Sequence, residues 1–443
     1  MKVKRLPVDT GLSGWNGILP PPGAPDELTA PITADWLVIG GGFAGLSAVR
    51  RLSLLHPDAR IVLLEAGRIG QGPAGRNTGF MIDLPHHLTS EGYGGQMERD
   101  RQDAAANRAA IEFAAEMAAD FGLSAEAFAR PGKINAAASE RGHRHNLDYA
   151  QHLTRMGEAH EMLDAAQMRD ITGTDYYQGG LFTPGAGLIQ PALYVRSIAG
   201  GLKSNRVSLY ENAPVTHLSR GRDWTARTRH GSVTAPRVIM AVNGHANSFG
   251  HFTGRLMHIH LYASMTRALT PGECARLGGD ARWGLTPADP MGSTVRRISG
   301  TGGDRIIVRN RFTYDAAMQV SDARVARMAR DHDKSFAARF PMLAGVEMEF
   351  RWSGRLCLSR NSVPALGEVD EGLYSACCQN GLGVAKGTLH GMLMADLASG
   401  VGSDLLNAVL DQPPPSRLPP EPFASVGANA MLRWSEYKAG REL

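Results

Sequence analysis

Hydrophobic and polar positions alternate along this chain in two distinct periods. Trp36-Leu37-Val38-Ile39 is a short continuous apolar run, the pattern of a strand buried on both faces of a parallel sheet. Leu46, Val49 and Leu52 then recur at helical spacing, and Ile61–Leu64 forms a second apolar run that ends in Glu65. The order predicts strand, helix, strand. Arg206–Tyr210 and Arg237–Val242 read as two further strands, and Leu373–Ser375 as a last core strand. Residues 256–269 and 304–314 alternate apolar and polar positions, as antiparallel strands with one covered face do.

Helices are expected over Asp100–Phe121, with Gly122 at the C-terminal cap, over the more polar His145–Asp164, and over Ser321–Phe340, which stops before Pro341. Residues 174–202 are turn-rich and then helical from near Pro191. Residues 377–400 read as a glycine turn feeding an amphipathic helix. Residues 66–87 carry five glycines and no periodicity, so they form a long loop of the kind that usually serves function. The first 33 residues, with Pro20-Pro21-Pro22, are expected to be irregular and packed on the surface through Trp15. The tail from Gln412 should end in a short helix around Met431–Tyr437.

Composition narrows the class. With 443 residues, 43% hydrophobic and 20% charged, the chain can bury a large core as two domains or one discontinuous one. A net charge of +4 without a Lys/Arg run does not indicate nucleic-acid binding. No apolar run approaches the ~18 residues of a membrane span. The start, MKVKRLPVDTGLSGW, lacks the apolar stretch of a secretory signal. Cys274, Cys357, Cys377 and Cys378 form no CxxC pair, and reduced thiols in the cytoplasm are the expectation.

The chemistry lies in the turn after the first strand. Gly40, Gly42 and Gly45 stand in GxGxxG register, and Glu65 follows twenty residues after Gly45. The first glycine permits the tight turn, the second lets backbone approach a pyrophosphate, and the third lets helix pack on sheet. The helix N-terminus directs amides at the phosphates, and Glu65 can accept from the ribose hydroxyls. These residues predict a dinucleotide site.

Six pieces in order then resemble the D-amino-acid oxidase superfamily, and within it the branch of glycine, sarcosine and gamma-glutamylputrescine oxidases. They are GGGFAG…LLEA, GPAGRNTG at 72–79, NAPV at 212–215, MAVNGH at 240–245, WSG…NSVPALG, and NGLGVAKGTLHGMLMADL, and they cover residues 34 to 400. The resemblance implies an α/β flavoprotein. A glutathione-reductase-type, Rossmann-like FAD domain would be built from 34–90, 175–250 and 345–411. A substrate domain of antiparallel sheet plus helices would come from 91–174 and 251–344, flanked by the 1–33 extension and the 412–443 tail.

The resemblance places FAD against Gly40, Gly42, Phe43, Ala44, Gly45, Glu65 and Ala66, and against Gly75, Arg76, Asn77 and Thr78 of the second motif. It adds Val215, Asn243, Gly244 and Gly354, and Gly381, Leu382, Gly383, Val384 and Ala385 of the last turn. Cys357 is about three residues off the register of the flavin-attaching cysteine in sarcosine oxidase relatives, so the implied FAD is non-covalent. The implied reaction is oxidation of a C–N bond in a small amine or an amino acid, N-substituted or not, giving an imine that water hydrolyses, with O2 reduced to H2O2. Arg76 and Lys386 are candidates for a cation beside the flavin. His260 and Tyr262 are candidate catalytic residues, and His258, His260, Tyr262 and Arg309 are candidates for the substrate pocket. Arg311, two residues on, is a second possible carboxylate anchor. No metal site is expected. Rival readings are a dehydrogenase passing electrons to another acceptor, a flavin-dependent tRNA-modifying enzyme of related fold, and a non-enzymatic subunit that retains FAD.

Overall fold

A computed structural model describes residues 1–85 and 95–443. The continuous apolar runs do form the buried sheet. Its six strands lie in the order Val207–Tyr210, Ile61–Leu64, Trp36–Ile39, Arg237–Met240, Leu373–Cys377 and Ala365–Asp370. The first five are parallel, and the last is an antiparallel edge. Trp36–Ile39 and Ile61–Leu64 are buried at every position, as a sheet covered on both faces requires.

Helices Phe43–Leu55 and Gly383–Ala398 cover one face side by side. They touch at their backbones: a Cβ on Gly391 would stand 2.0 Å from the Ala44 carbonyl oxygen. That contact brings the glycine turn after the first strand next to the glycine turn after the last. A second layer, the four-stranded sheet Pro31–Thr33, Ser232–Ala235, Trp224–Arg227 and His217–Arg220, closes the other face.

Eight strands make the larger, mostly antiparallel sheet, in the order Met348–Ser359, Leu256–Thr266, Arg305–Tyr314, Thr294–Ile298, Trp283–Pro287, Lys133–Ala137, Gly179–Thr183 and Glu161–Asp164, with Trp283–Pro287 and Lys133–Ala137 paired in parallel. The alternating segments 256–269 and 304–314 fall at its centre. The sheet also takes Gly179–Thr183 and Met348–Ser359, both inside ranges assigned above to the dinucleotide domain. That assignment is corrected here: the chain crosses between the two sheets after Thr183 and again after Ser359. The proposed limit at residue 90 and the end of the 66–87 loop lie outside the described residues.

Two helices differ from expectation. The one expected over His145–Asp164 runs Glu140–Met156 and ends at Gly157, whose φ of +80° fits a left-handed cap. The last four residues of that range, Glu161–Asp164, are an edge strand. The C-terminal helix spans Phe423–Ala439, and a separate helix spans Asp404–Leu410. The segment 1–33 is more than surface packing. Trp15 is fully buried, and Val3 and Lys4 backbone N–H groups donate to Thr216 and Ser248 carbonyls.

Candidate active site

Both glycine turns, the long loop and the face of the eight-stranded sheet enclose one cavity of about 700 Å³. At its nucleotide end, Gly40 takes φ +107°, and a Cβ there would stand 2.6 Å from the Ala241 carbonyl oxygen. The chain can therefore leave the strand only through glycine. Gly42 caps the Phe43–Leu55 helix without a side-chain hydrogen bond, so the first helical amides are free to meet an anion. A Cβ on Gly42 would meet nothing nearer than the Ala74 Cβ at 3.6 Å, which leaves space for a phosphate.

Glu65 closes this end. Its carboxylate accepts from the Gly41 N–H at 2.7 Å and the Gly67 N–H at 3.0 Å. Burial pushes its pKa up, and these backbone donors oppose the rise. A fixed acceptor at the second strand tip and free donor amides at the helix start are the pair of groups that a dinucleotide's ribose and pyrophosphate need.

The cavity wall includes Gly40, Gly42, Phe43, Ala44, Glu65 and Ala66, then Arg76, Asn77 and Thr78. Val215, Asn243, Gly244 and Gly354 follow, with Gly381, Leu382, Gly383 and Val384 of the last turn. Gly45, Gly75 and Ala385 stand behind the wall. A Cβ on Gly45 would be 1.8 Å from the Gly40 carbonyl oxygen, and one on Gly75 would be 1.7 Å from that of Gly70, so both serve backbone packing. Ala385 is buried in the helix core.

The two candidate cations are differently placed. Arg76 borders the cavity, but its guanidinium is spent on backbone. It donates to the carbonyls of Gln71 at 2.7 Å, Thr10 at 3.0 Å, Ser353 at 3.2 Å and Gly11 at 2.5 Å. Burial lowers its pKa, with Asp9 opposing. The geometry is that of a clamp tying loop, extension and sheet together, with the charge still at the cavity border. Lys386 lies off the wall, its Nζ 4.0 Å from Asp103, because its position on the Gly383–Ala398 helix turns it towards the Met97–Asp120 helix.

Among the substrate candidates, His258, Tyr262 and Arg309 reach the wall and His260 does not. The Tyr262 hydroxyl pairs with the Thr313 hydroxyl at 2.6 Å. Arg309 stacks over the Phe312 ring, 5.4 Å from its centroid. Burial, then the nearby Arg355, push His258 down to about 4 and His260 to about 3, so both are neutral at pH 7. Both ring nitrogens of His260 are buried without a hydrogen-bond partner among the described residues. Arg311 adopts φ +63° and pairs with Asp331 and Glu436, which takes it away from the pocket.

Several wall residues escaped the sequence reading. Arg5, Leu6, Pro7, Asp9, Gly11, Leu12 and Ser13 of the extension line the cavity. Asp9 pairs with Arg355 at 3.0 Å, and Arg355 bonds His245 at 2.7 Å. Thr286 and Thr294 line the sheet end. An extension without periodicity gave no signal beyond Trp15, and single threonines on short strands gave none. Among the described residues no cluster of three metal-ligating side chains occurs, and no helix is long and apolar enough to cross a membrane.

This architecture, a parallel sheet with two glycine turns joined through one cavity to a mostly antiparallel sheet, defines a class. Residues 35–397 match the model of the DAO family, FAD dependent oxidoreductase, and the chain belongs to that family. It is 27% identical over 418 residues to gamma-glutamylputrescine oxidoreductase of Escherichia coli (strain K12), covering 91% of this chain and 93% of that protein. It is 26% identical to the probable oxidoreductase OrdL of Rhizobium meliloti (strain 1021), covering 90% and 91%. Its fold is similar to glycine oxidase from Geobacillus kaustophilus, with a TM-score of 0.69 and 19% identity over 88% of this chain and all of that one.

Proposed function

We propose that this FAD-dependent oxidoreductase oxidises the C–N bond of a small amine or an amino acid, N-substituted or not. The substrate's CH–NH group loses two electrons and two protons to become an imine. Water hydrolyses the imine to a carbonyl compound and a smaller amine or ammonia. Dioxygen is the proposed acceptor and leaves as hydrogen peroxide. Bound FAD supplies the two-electron acceptor for the substrate C–H hydride.

The observation that carries this reading is the continuity of the cavity from the Gly40–Ala44 turn to Arg309 on the sheet. The helix amides at Phe43 and Ala44 would hold the pyrophosphate, and Glu65 the ribose. Arg309 offers a fork for a substrate carboxylate. Tyr262 presents a hydroxyl already oriented by Thr313, and neutral His258 adds no charge to repel an amine. The relative from Escherichia coli, named as an oxidoreductase of gamma-glutamylputrescine, supports the same class.

Non-covalent FAD is part of the proposal. Cys357 lines the cavity, but its thiol is buried and hydrogen-bonded with Cys378, which pushes its pKa well up. A thiol held protonated is a poor nucleophile. The four free cysteines fit a reducing compartment, and the cytoplasm is the proposed location. The test is anaerobic mixing of the yellow protein with a panel of amines and amino acids. Bleaching near the flavin maximum by members of that panel, with peroxide formed on readmitting air, is expected. A flavin that none of them bleaches would overturn the reading.

A further inference from the structure

One transverse row of the eight-stranded sheet carries a pattern of polar groups beyond Arg309. Asn135 pairs in register with Thr286, and Thr294 with Arg309. Thr286 and Thr294 sit one residue beyond the Leu285–Val295 pair, so the four residues lie side by side on neighbouring strands. Thr286, Thr294 and Arg309 all face the cavity.

The hydrogen-bond sense of the row is fixed from behind. Lys133 is buried at 3% exposure, and its ammonium donates to Asn135 Oδ1. An ammonium can only donate, so the Asn135 amide oxygen must face it. Thr286 donates to that same oxygen at 2.6 Å. Its hydroxyl proton is thereby committed to the sheet, and its lone pairs are left for the cavity. Thr294 is 1% exposed, and its hydroxyl has no hydrogen-bond partner among the described residues. A buried hydroxyl without a partner on a cavity wall calls for a ligand group. Arg309 can only donate.

We infer that this row recognises an amino acid by both of its polar ends, with Thr286 accepting from the amino N–H and Thr294 joining Arg309 in donating to the carboxylate. Adjacent strands are about 4.8 Å apart, so Thr286 and Arg309 are separated by about two such steps, which the arginine side chain shortens. The row thus fits an amino group and carboxylate borne on neighbouring atoms. Lys133 and Asn135 are positioning residues, acting through Thr286.

This inference rests on the amine-oxidation reading, and equilibrium binding separates the two. The FAD-loaded protein is titrated by calorimetry with 2-aminoisobutyrate, which has no α-hydrogen to lose, and with pivalate, which replaces its amino group by methyl. Wild type should bind 2-aminoisobutyrate at least 10-fold more tightly. Thr286→Val should remove that preference and Thr286→Ser should keep it, while Thr294→Val weakens both ligands. Lys133→Met, tested alongside, should reduce the preference with the pivalate affinity unchanged. Equal binding of the two ligands by wild type, or a preference that survives Thr286→Val, overturns the inference. Failure of every amine to bleach the flavin would instead remove the reaction and leave these affinities standing.

Discussion

The indole N–H of Trp15 donates to the carbonyl oxygen of Asn77 at 2.7 Å. Through that bond an irregular N-terminal segment holds the loop that borders the cavity. Arg296 lies over the same indole ring, 5.2 Å away, and donates to the Thr78 carbonyl at 2.7 Å. Trp15→Phe should cost about 1 kcal/mol by loss of the donor, and Trp15→Ala about 3–5 kcal/mol by cavity formation. Both should weaken FAD retention in the same order. Thermal melts of apoprotein and flavin titrations check this; a destabilised Trp15→Ala variant with full flavin affinity would separate the extension from the site.

Arg76 makes the opposite case, a charge whose work is structural. Lysine cannot reach four carbonyls arranged around a planar fork. Arg76→Lys should therefore lose about 2–3 kcal/mol of stability and shed FAD more readily. The fraction that keeps FAD should be reduced by an accepted substrate within about threefold of the wild-type rate, a barrier change below 1 kcal/mol. Unchanged melting with reduction slowed tenfold or more would return Arg76 to a role in the reaction.

Gly42→Val tests the nucleotide end. Its φ of −88° is open to any residue, and the nearest protein atom to a new Cβ is 3.6 Å away. The apoprotein should fold with near-wild-type circular dichroism, yet the two methyl groups would fill the space beside the helix amides. Flavin content should drop below a tenth of wild type. Full flavin content would mean that the pyrophosphate lies elsewhere.

Buried histidines set the acid side of stability. Burial pushes His332 down to about 4, His258 to about 4 and His390 to about 3. The unfolded chain binds their protons near pH 6.5, so below that value it binds more protons than the native state. Stability should be full above pH 6.5 and decline as pH falls towards 4. For His332 alone the loss at pH 5 is about 2 kcal/mol. Melting temperature against pH checks this, and His332→Gln, although less stable at pH 7.5, should show a shallower acid decline. A flat profile between pH 7 and 5 would contradict it.

What was legible in the chain follows from how each part is buried. Trp36–Ile39 and Ile61–Leu64 were readable because strands covered on both faces must be continuously apolar, and Gly40 because no other residue makes that turn. Segments 256–269 and 304–314 were readable because their faces differ. Glu161–Asp164 was lost because a four-residue edge strand with two exposed acids carries no period to set against the helix before it. His217–Ala235 was lost because its strands are four residues long and half-exposed. The cavity-wall residues on glycine turns could be named, since backbone conformation dictates them. Asp9, Thr286 and Thr294 could not, because their role arises only when distant segments meet. Arg76 was named for its neighbours in sequence, while three of the four carbonyls it donates to, those of Thr10, Gly11 and Ser353, lie far along the chain.

The most direct test of the account is the colour of the protein and the fate of that colour in acid. Purified protein should show the two visible bands of an oxidised flavin. Trichloroacetic acid should release the flavin into the supernatant, where chromatography should identify FAD at close to one per chain. A colourless protein that takes up no added FAD would contradict the site itself. Flavin that stays in the pellet, and is lost from it in Cys357→Ala, would contradict its non-covalent attachment.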